Sequence, residues 1–168
     1  MGETREDVVR AAVQLERDGR KFYLEAANRT PNEEVRKMFA SLADDEADHA
    51  RWIERAAADV DTAAAVNRRL YDRLRFIFAD VPEAKLRRIA SSERDVDAIH
   101  FAISIEDRSV AAYETWAREC EDADVRKLCQ MLVGVERFHR TALENTLEYF
   151  EHTPDWFMKE EQWNFEGA

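Results

Sequence analysis

The sequence consists of two similar halves that are related by a shift of 90 positions. The run Val35-Arg36-Lys37 recurs unchanged as Val125-Arg126-Lys127. Further identities recur at Ala12/Ala102, Glu16/Glu106, Tyr23/Tyr113, Ala27/Ala117, Leu42/Leu132, Glu46/Glu136, His49/His139 and Glu54/Glu144. Two copies with so long a period are too few for a solenoid, so the repeat favours two matching structural units that face each other.

Each half is predicted to be a pair of long helices. Helix-breaking residues are scarce, with Gly 4 and Pro 3 in 168 residues, and apolar or small residues recur at helical spacing. The helices are predicted at 5–29, 30–58, 92–120 and 122–151. Thr30 is predicted to cap the second helix, with Pro31 in its first turn.

The short connections within each pair predict antiparallel neighbours, and therefore an all-α, antiparallel four-helix bundle. A single domain, 1–168, is expected. It comprises a helical hairpin at 5–58, a long crossover at 59–92, a second hairpin at 93–151 and a short aromatic tail at 152–168.

The crossover and the tail carry their own predictions. The crossover is predicted to hold one short helix, Asn67–Phe78, and another after Pro82. The tail carries Trp156 and Trp163, and we expect it either to fold back over the end of the bundle or to pack on a second subunit.

Charge and hydropathy narrow the class of protein. Acidic residues outnumber basic ones by 36 to 25, for a formal net charge of −11. Neither nucleic acid nor an anionic membrane is therefore an expected partner, because both require a basic surface. No apolar run approaches the ~18 residues of a membrane span, and the charged N-terminus is not expected to be a signal peptide. We expect a cytoplasmic protein.

Six polar side chains fall on the apolar stripes of the predicted helices. Each half has a glutamate on the stripe of its first helix and a Glu-x-x-His pair on the stripe of its second. The set is Glu16, Glu46, His49, Glu106, Glu136 and His139. Residues three apart lie ~60° apart around a helix and ~4.5 Å along it, so each Glu-x-x-His pair aims both side chains at one point.

A bundle interior does not tolerate four carboxylates alone. Burying an isolated ion costs several kcal/mol, whereas the whole stability of a domain is only ~5–15 kcal/mol. Two divalent cations neutralise four carboxylates, and oxygen-rich ligation with one imidazole per metal suits iron or manganese. The sequence therefore predicts two iron ions, with manganese as the alternative. Glu16 and Glu106 are the predicted terminal ligands, Glu46 and Glu136 bridge, and His49 and His139 each bind one metal.

These segments resemble the rubrerythrin family of ferritin-like di-metal proteins. Residues 14–54 are similar to the family's first helix pair and residues 99–143 to its second, and the likeness extends over about 5–150. The six predicted ligands fall on the family's ligand positions. The resemblance also implies that Tyr23 and Tyr113, each seven residues after a ligand glutamate, orient carboxylates and supply protons.

The chain departs from the family pattern in two respects. Rubrerythrins with strong peroxidase activity carry an additional glutamate three residues before the ligand of the third helix, where this chain has Ile103. Many members also carry a rubredoxin module with two CxxC pairs, which this sequence lacks. Any electrons are therefore expected from a separate protein.

The resemblance implies a non-haem di-iron protein that reduces hydrogen peroxide or reacts with dioxygen, and a homodimer. Three alternatives stay open at this stage. They are a ferroxidase or iron-storage protein, a di-iron oxygenase that acts on an organic substrate, and a metal-stabilised bundle without catalysis.

Three residues beside the predicted ligands receive simpler interpretations. Asp45 and Asp48 are predicted to be solvated acids, and Trp52, one turn past His49, is predicted to lie in the core.

Overall fold

Four long helices make up the part of the fold that the structure describes. The computed structural model describes residues 3–66, 70 and 94–165, with the side chains of 3–66, 70 and 95–149. The helices in these ranges are α1 (Arg5–Arg29), α2 (Glu33–Ala56), α3 (Arg94–Glu119) and α4 (Ala123–Phe165). Helix α1 packs against α2 and α3 against α4, and the two hairpins form a four-helix bundle. The predicted all-α class is confirmed, and no strand occurs in the described part of the chain.

The turn between α1 and α2 differs from its prediction. Asn32, and not Thr30, caps α2, because its Oδ1 accepts hydrogen bonds from the backbone N–H groups of Glu34 at 2.9 Å and Val35 at 3.2 Å. The backbone N–H of Thr30 instead closes α1. The Thr30 hydroxyl donates to the buried carboxylate of Asp95 at the start of α3. This side chain therefore ties the two hairpins together.

The fourth helix is longer than predicted. It continues to Phe165 as one helix of 43 residues, so the prediction that it ends near Glu151 is wrong. Pro154 removes a single backbone hydrogen bond, and residues 155–165 contain no further Pro or Gly. The packing of the tail side chains lies outside the described residues.

The crossover is described only in part. Residues 59–66 form turns, and Leu70 is helical and fully buried. The other positions of the predicted helices, Asn67–Phe78 and the one after Pro82, lie outside the described residues. The single-domain organisation stays a prediction.

Apolar side chains from all four helices fill the interior. The largest fully buried ones include Trp116, Phe39, Ile53, Ile99, Ile105, Leu132 and Leu143. Among the described residues, no helix is long and apolar enough to cross a membrane. Among the described residues, six of the ten buried polar or charged side chains lie together at one place, which is the candidate site.

Candidate metal centre

The six predicted ligands meet in the middle of the bundle. Each is only 1–8% exposed, although four are acids and two are histidines. Helices α1 and α3 supply one glutamate each, and α2 and α4 supply one Glu-x-x-His pair each. The helical period places these side chains on the inward stripes, as the sequence predicts.

The six side chains form two overlapping groups. In each group one oxygen or nitrogen atom from every member lies within 4.8 Å of the others. The groups are Glu16, Glu46, His49 and Glu136, and Glu46, Glu106, Glu136 and His139. Glu46 and Glu136 belong to both groups, which is the arrangement expected of two neighbouring metal positions that share two carboxylates.

Both histidines turn the same ring nitrogen towards the acids. Nδ1 of His49 lies 3.2 Å from Oε2 of Glu16 and 3.8 Å from Oε2 of Glu46. Nδ1 of His139 lies 3.6 Å from Oε1 of Glu46 and 3.9 Å from Oε1 of Glu106. The two rings stack with their centroids 5.2 Å apart. The histidines therefore lie side by side along one edge of the acidic cluster.

The two tyrosines cross-link the hairpins through the cluster. Tyr23 donates a hydrogen bond to Oε1 of Glu106, and Tyr113 donates one to Oε1 of Glu16. Each hairpin thus orients the single glutamate of the other. Burial, together with the negative charge of the accepting glutamate, raises the pKa of both phenols well above the usual value. Both tyrosines therefore stay protonated at neutral pH.

The metal-free cluster lowers its charge by holding protons. Burial, reinforced by repulsion from neighbouring glutamates, raises the pKa of Glu46 and Glu136 well above the usual range, and burial raises the pKa of Glu106. Burial also opposes ionisation of Glu16, but hydrogen bonds from Glu46, His49 and Tyr113 lower its pKa overall. The pattern is that of acids forced into one dry space.

The imidazole of His139 is available in its neutral, metal-binding form. Burial and the neighbouring His49 lower the pKa of His139 to about 4. At neutral pH the ring therefore carries one proton and one free lone pair.

Three buried atoms of the cluster lack a hydrogen-bond partner among the described residues. They are Oε2 of Glu106, Oε1 of Glu136 and Nδ1 of His139. Leaving a buried polar atom unpaired costs about 1–3 kcal/mol. A metal ion would satisfy these atoms together, and the donor set of carboxylate oxygens with one imidazole per position is one that iron and manganese prefer. The residues present fit a dinuclear metal centre.

Gly19 makes room for one of the shared carboxylates. A Cβ atom at this position would lie 3.2 Å from Cδ of Glu46, closer than ordinary van der Waals contact. Sequence reasoning placed Gly19 on the inward stripe of the first helix but did not identify this contact. The equivalent position in the second half is the small residue Ser109.

We expect Gly19→Ala to displace the Glu46 carboxylate and to weaken metal binding. Overpacking of a tight interior costs about 1–3 kcal/mol, and here the strain falls on a predicted ligand. Gly134→Ala is the matched control, because nothing lies within 4 Å of a Cβ atom there. The control is expected to gain ~0.5–1 kcal/mol of helix stability and to keep its metal affinity. Calorimetric metal titration measures the metal affinity of both variants. Equal affinities in the two variants would contradict the prediction.

Two predictions for the residues beside the ligands need correction. Trp52 is 48% exposed and not a core residue, and its ring stacks on His49 at a centroid distance of 6.3 Å. Asp48 is exposed and pairs with Arg51, as expected of a solvated acid. Asp45 differs, because its half-exposed carboxylate approaches Nε2 of His139 to 3.7 Å. The sequence contained one signal that Asp45 differs from an ordinary surface acid. The repeat has an apolar residue, Val135, at the equivalent position.

A four-helix bundle with this buried set of glutamates and Glu-x-x-His pairs has the architecture of the ferritin-like carboxylate bundles. The family model for rubrerythrin matches residues 7–147. The chain therefore belongs to the rubrerythrin family, which confirms the resemblance seen in the sequence.

The other comparisons concern the fold and not the activity. The crystal structure of a DUF305 fragment from Deinococcus radiodurans is similar to this chain, with a TM-score of 0.65 and 13% sequence identity. The alignment covers 88% of this chain and 98% of the fragment. An identity that low supports a shared helical fold alone. A comparison with curated proteins gives no match.

Proposed function

We propose that this protein is a non-haem di-iron oxidoreductase that reduces hydrogen peroxide, with electrons from a separate donor protein. One observation carries the proposal. In a chain of the rubrerythrin family, the buried acids and histidines divide into two adjacent groups that share Glu46 and Glu136. Two divalent ions would neutralise the four carboxylates of the set. Dioxygen is the alternative oxidant.

The residues that would hold each ion follow from the two groups. Glu16 and His49 would bind one iron, Glu106 and His139 would bind the other, and the shared glutamates would contact both. When bound, the iron pair supplies the electrons and the Lewis acidity for the reaction. The near-complete burial of the ligands keeps bulk water away from this chemistry.

The tyrosines are suited to hold protons at the site. Reduction of one hydrogen peroxide molecule takes two electrons and two protons and yields two water molecules. Tyr23 and Tyr113 each keep a phenolic proton that is hydrogen-bonded to a glutamate of the cluster. They orient Glu106 and Glu16 and place an O–H group next to each predicted metal position.

The proposal is tested by metal analysis followed by a peroxide assay. Protein purified without chelators, or loaded anaerobically with ferrous iron, is expected to bind two ions per chain. One equivalent of peroxide should then oxidise the iron pair, giving a near-ultraviolet absorption band, and a surrogate reductant should sustain turnover. Two bound ions that do not react with peroxide would contradict the proposal. A faster reaction with dioxygen would make dioxygen the oxidant.

Conversion of either buried tyrosine to phenylalanine is expected to slow the reaction and to preserve the metal content. The variants Tyr23→Phe and Tyr113→Phe lose one hydrogen bond to a predicted ligand, and such losses typically cost about 10–100-fold in activity. The exposed Tyr149 provides a control, and Tyr149→Phe should react like the unaltered protein. Stopped-flow measurement of the oxidation of the iron pair by peroxide compares the three variants. Equal rates in all three variants would remove the tyrosines from the mechanism.

We also propose that the protein is a homodimer. Met131, Phe138 and Tyr149 are exposed large apolar residues on α4. Their separations of seven and eleven residues place them within about 20° of one another around the helix. A second copy that covers this stripe would bury it, and sedimentation equilibrium tests the proposal.

A further inference from the structure

The surroundings of the two histidines break the symmetry of the repeat. Oδ2 of Asp45 lies 3.7 Å from Nε2 of His139. The equivalent position in the other half is Val135, which is also half-buried and has no charge to offer. In the described part of the chain, the carboxylates within 4.0 Å of the His49 ring are those of the predicted ligands Glu16 and Glu46, and both approach Nδ1. His49 is instead stacked against Trp52.

We infer that Asp45 is a positioning residue that holds the proton of His139 on Nε2, and so makes the two metal positions unequal. The inference rests on the metal site proposed above. It assigns a role to a residue outside the six predicted ligands, and it distinguishes two positions that the repeat alone presents as equivalent.

The two nitrogens of the His139 ring face different groups. A neutral imidazole has one N–H group and one lone pair. Nδ1 of His139 faces Glu46 and Glu106, and it is buried without a hydrogen-bond partner among the described residues. If Nδ1 gives its lone pair to a metal ion, the proton must reside on Nε2, which faces Asp45. The present separation of 3.7 Å is about 0.5 Å longer than the upper end of the usual N–H···O range, so a small approach of the two side chains is needed to form the hydrogen bond.

A carboxylate that accepts a hydrogen bond from Nε2 makes Nδ1 of the same ring a stronger metal ligand. Such contacts fix the tautomer and the orientation of the ring, raise the basicity of the ligating nitrogen, and are typically worth about 10–100-fold in metal affinity. His139 has this support from Asp45, a residue outside the ligand set, whereas the carboxylates beside His49 are those of predicted ligands. The position held by His139 is therefore the tighter of the two, and the two ions bind in sequence.

Titration with cobalt(II) of the full chain and two matched variants tests the inference. Unaltered protein should show two binding steps of different affinity. Asp45→Asn should weaken the tighter step by roughly 10–100-fold and leave the other step nearly unchanged. Asp48→Asn, one turn along the same helix but paired with Arg51, should leave both steps unchanged. Asp45→Glu, which keeps the charge, should restore part of the lost affinity. An Asp45→Asn isotherm that superimposes on that of the unaltered protein would overturn the inference.

A measurement without metal separates this inference from the proposed function. Nitrogen-15 NMR of the metal-free protein at neutral pH reports which nitrogen of His139 carries the proton. We expect mainly the Nε2–H tautomer, and a shift towards Nδ1–H in Asp45→Asn. Identical tautomer populations of His139 in the unaltered protein and in Asp45→Asn would also overturn the inference. A protein that binds two ions unequally but does not react with peroxide contradicts only the proposed function.

Discussion

Glu136→Gln is expected to lose metal and, at the same time, to stabilise the metal-free protein. Glu136 is 2% exposed, belongs to both metal-binding groups, and has an oxygen without a hydrogen-bond partner among the described residues. Burial and the nearby Glu106 and Glu16 raise its pKa, so the folded metal-free protein resists its ionisation. Glutamine keeps the shape of the side chain but removes the charge that the metals require.

The two effects of this substitution have opposite signs, which makes the test specific. At neutral pH, folding of the metal-free protein has to add a proton to Glu136, which costs up to ~1.4 kcal/mol for each pH unit above the ordinary pKa of a glutamate. Glutamine avoids this cost, and its amide can donate hydrogen bonds to the remaining carboxylates. Metal content should fall from two ions per chain to one or none. The free energy of unfolding in the presence of a chelator should rise.

Elemental analysis and chemical denaturation measure these two quantities. Glu34→Gln is the control, because Glu34 is exposed on α2 and pairs with the exposed Lys37. It should change neither metal content nor stability by more than about 0.5 kcal/mol. Full metal content in Glu136→Gln would contradict the proposed ligand set. A destabilised metal-free variant would contradict the charge argument.

Metal loading is expected to raise the melting temperature strongly. An ion present at 1,000 times its Kd stabilises the folded state by about 4 kcal/mol per site. For a chain of this size, each kcal/mol corresponds to about 2–4 °C. Two occupied sites should therefore raise Tm by about 15–30 °C.

The increase in Tm on metal loading should be larger at higher pH. The folded metal-free protein holds protons on Glu46 and Glu136, whose pKa values are raised, whereas the unfolded chain releases them near the ordinary value of 4.5. Raising the pH therefore destabilises the metal-free protein, by up to ~1.4 kcal/mol per pH unit for each retained proton. The lowered pKa of His139, about 4, acts in the opposite direction. Its effect is confined to pH values up to about 6.5, above which this histidine is neutral in both states.

Thermal melts at pH 7.0 and 8.5, with chelator or with ferrous iron under anaerobic conditions, check both expectations. The Tm of the metal-free protein should be lower at pH 8.5 than at pH 7.0. Loaded protein should not show this fall, because its carboxylates carry no protons. Parallel pH dependence with and without metal would show that the cluster does not exchange protons for metal.

The sequence alone was sufficient for the helical framework. The predicted bounds 5–29 coincide with α1, and the predicted starts of α3 and α4 fall within two residues of those in the structure. Helical periodicity is a local property, and it also places Glu16, Glu46, His49 and their repeat equivalents on inward stripes. The repeat then indicated that the stripes of two equivalent hairpins face each other, and this is where the structure brings the six side chains together.

Other features were decided by contacts between helices, which no local pattern contains. Thr30 does not cap α2, because its hydroxyl reaches Asp95 of the other hairpin. Gly19 matters because the Glu46 carboxylate, on another helix, lies against it. Asp45, which the sequence presents as one more surface acid, lies beside His139 only because α2 and α4 come together at that point. Periodicity fixes which side of a helix a residue occupies, but the group it meets there depends on how the neighbouring helix is rotated and shifted, and only the tertiary structure determines that.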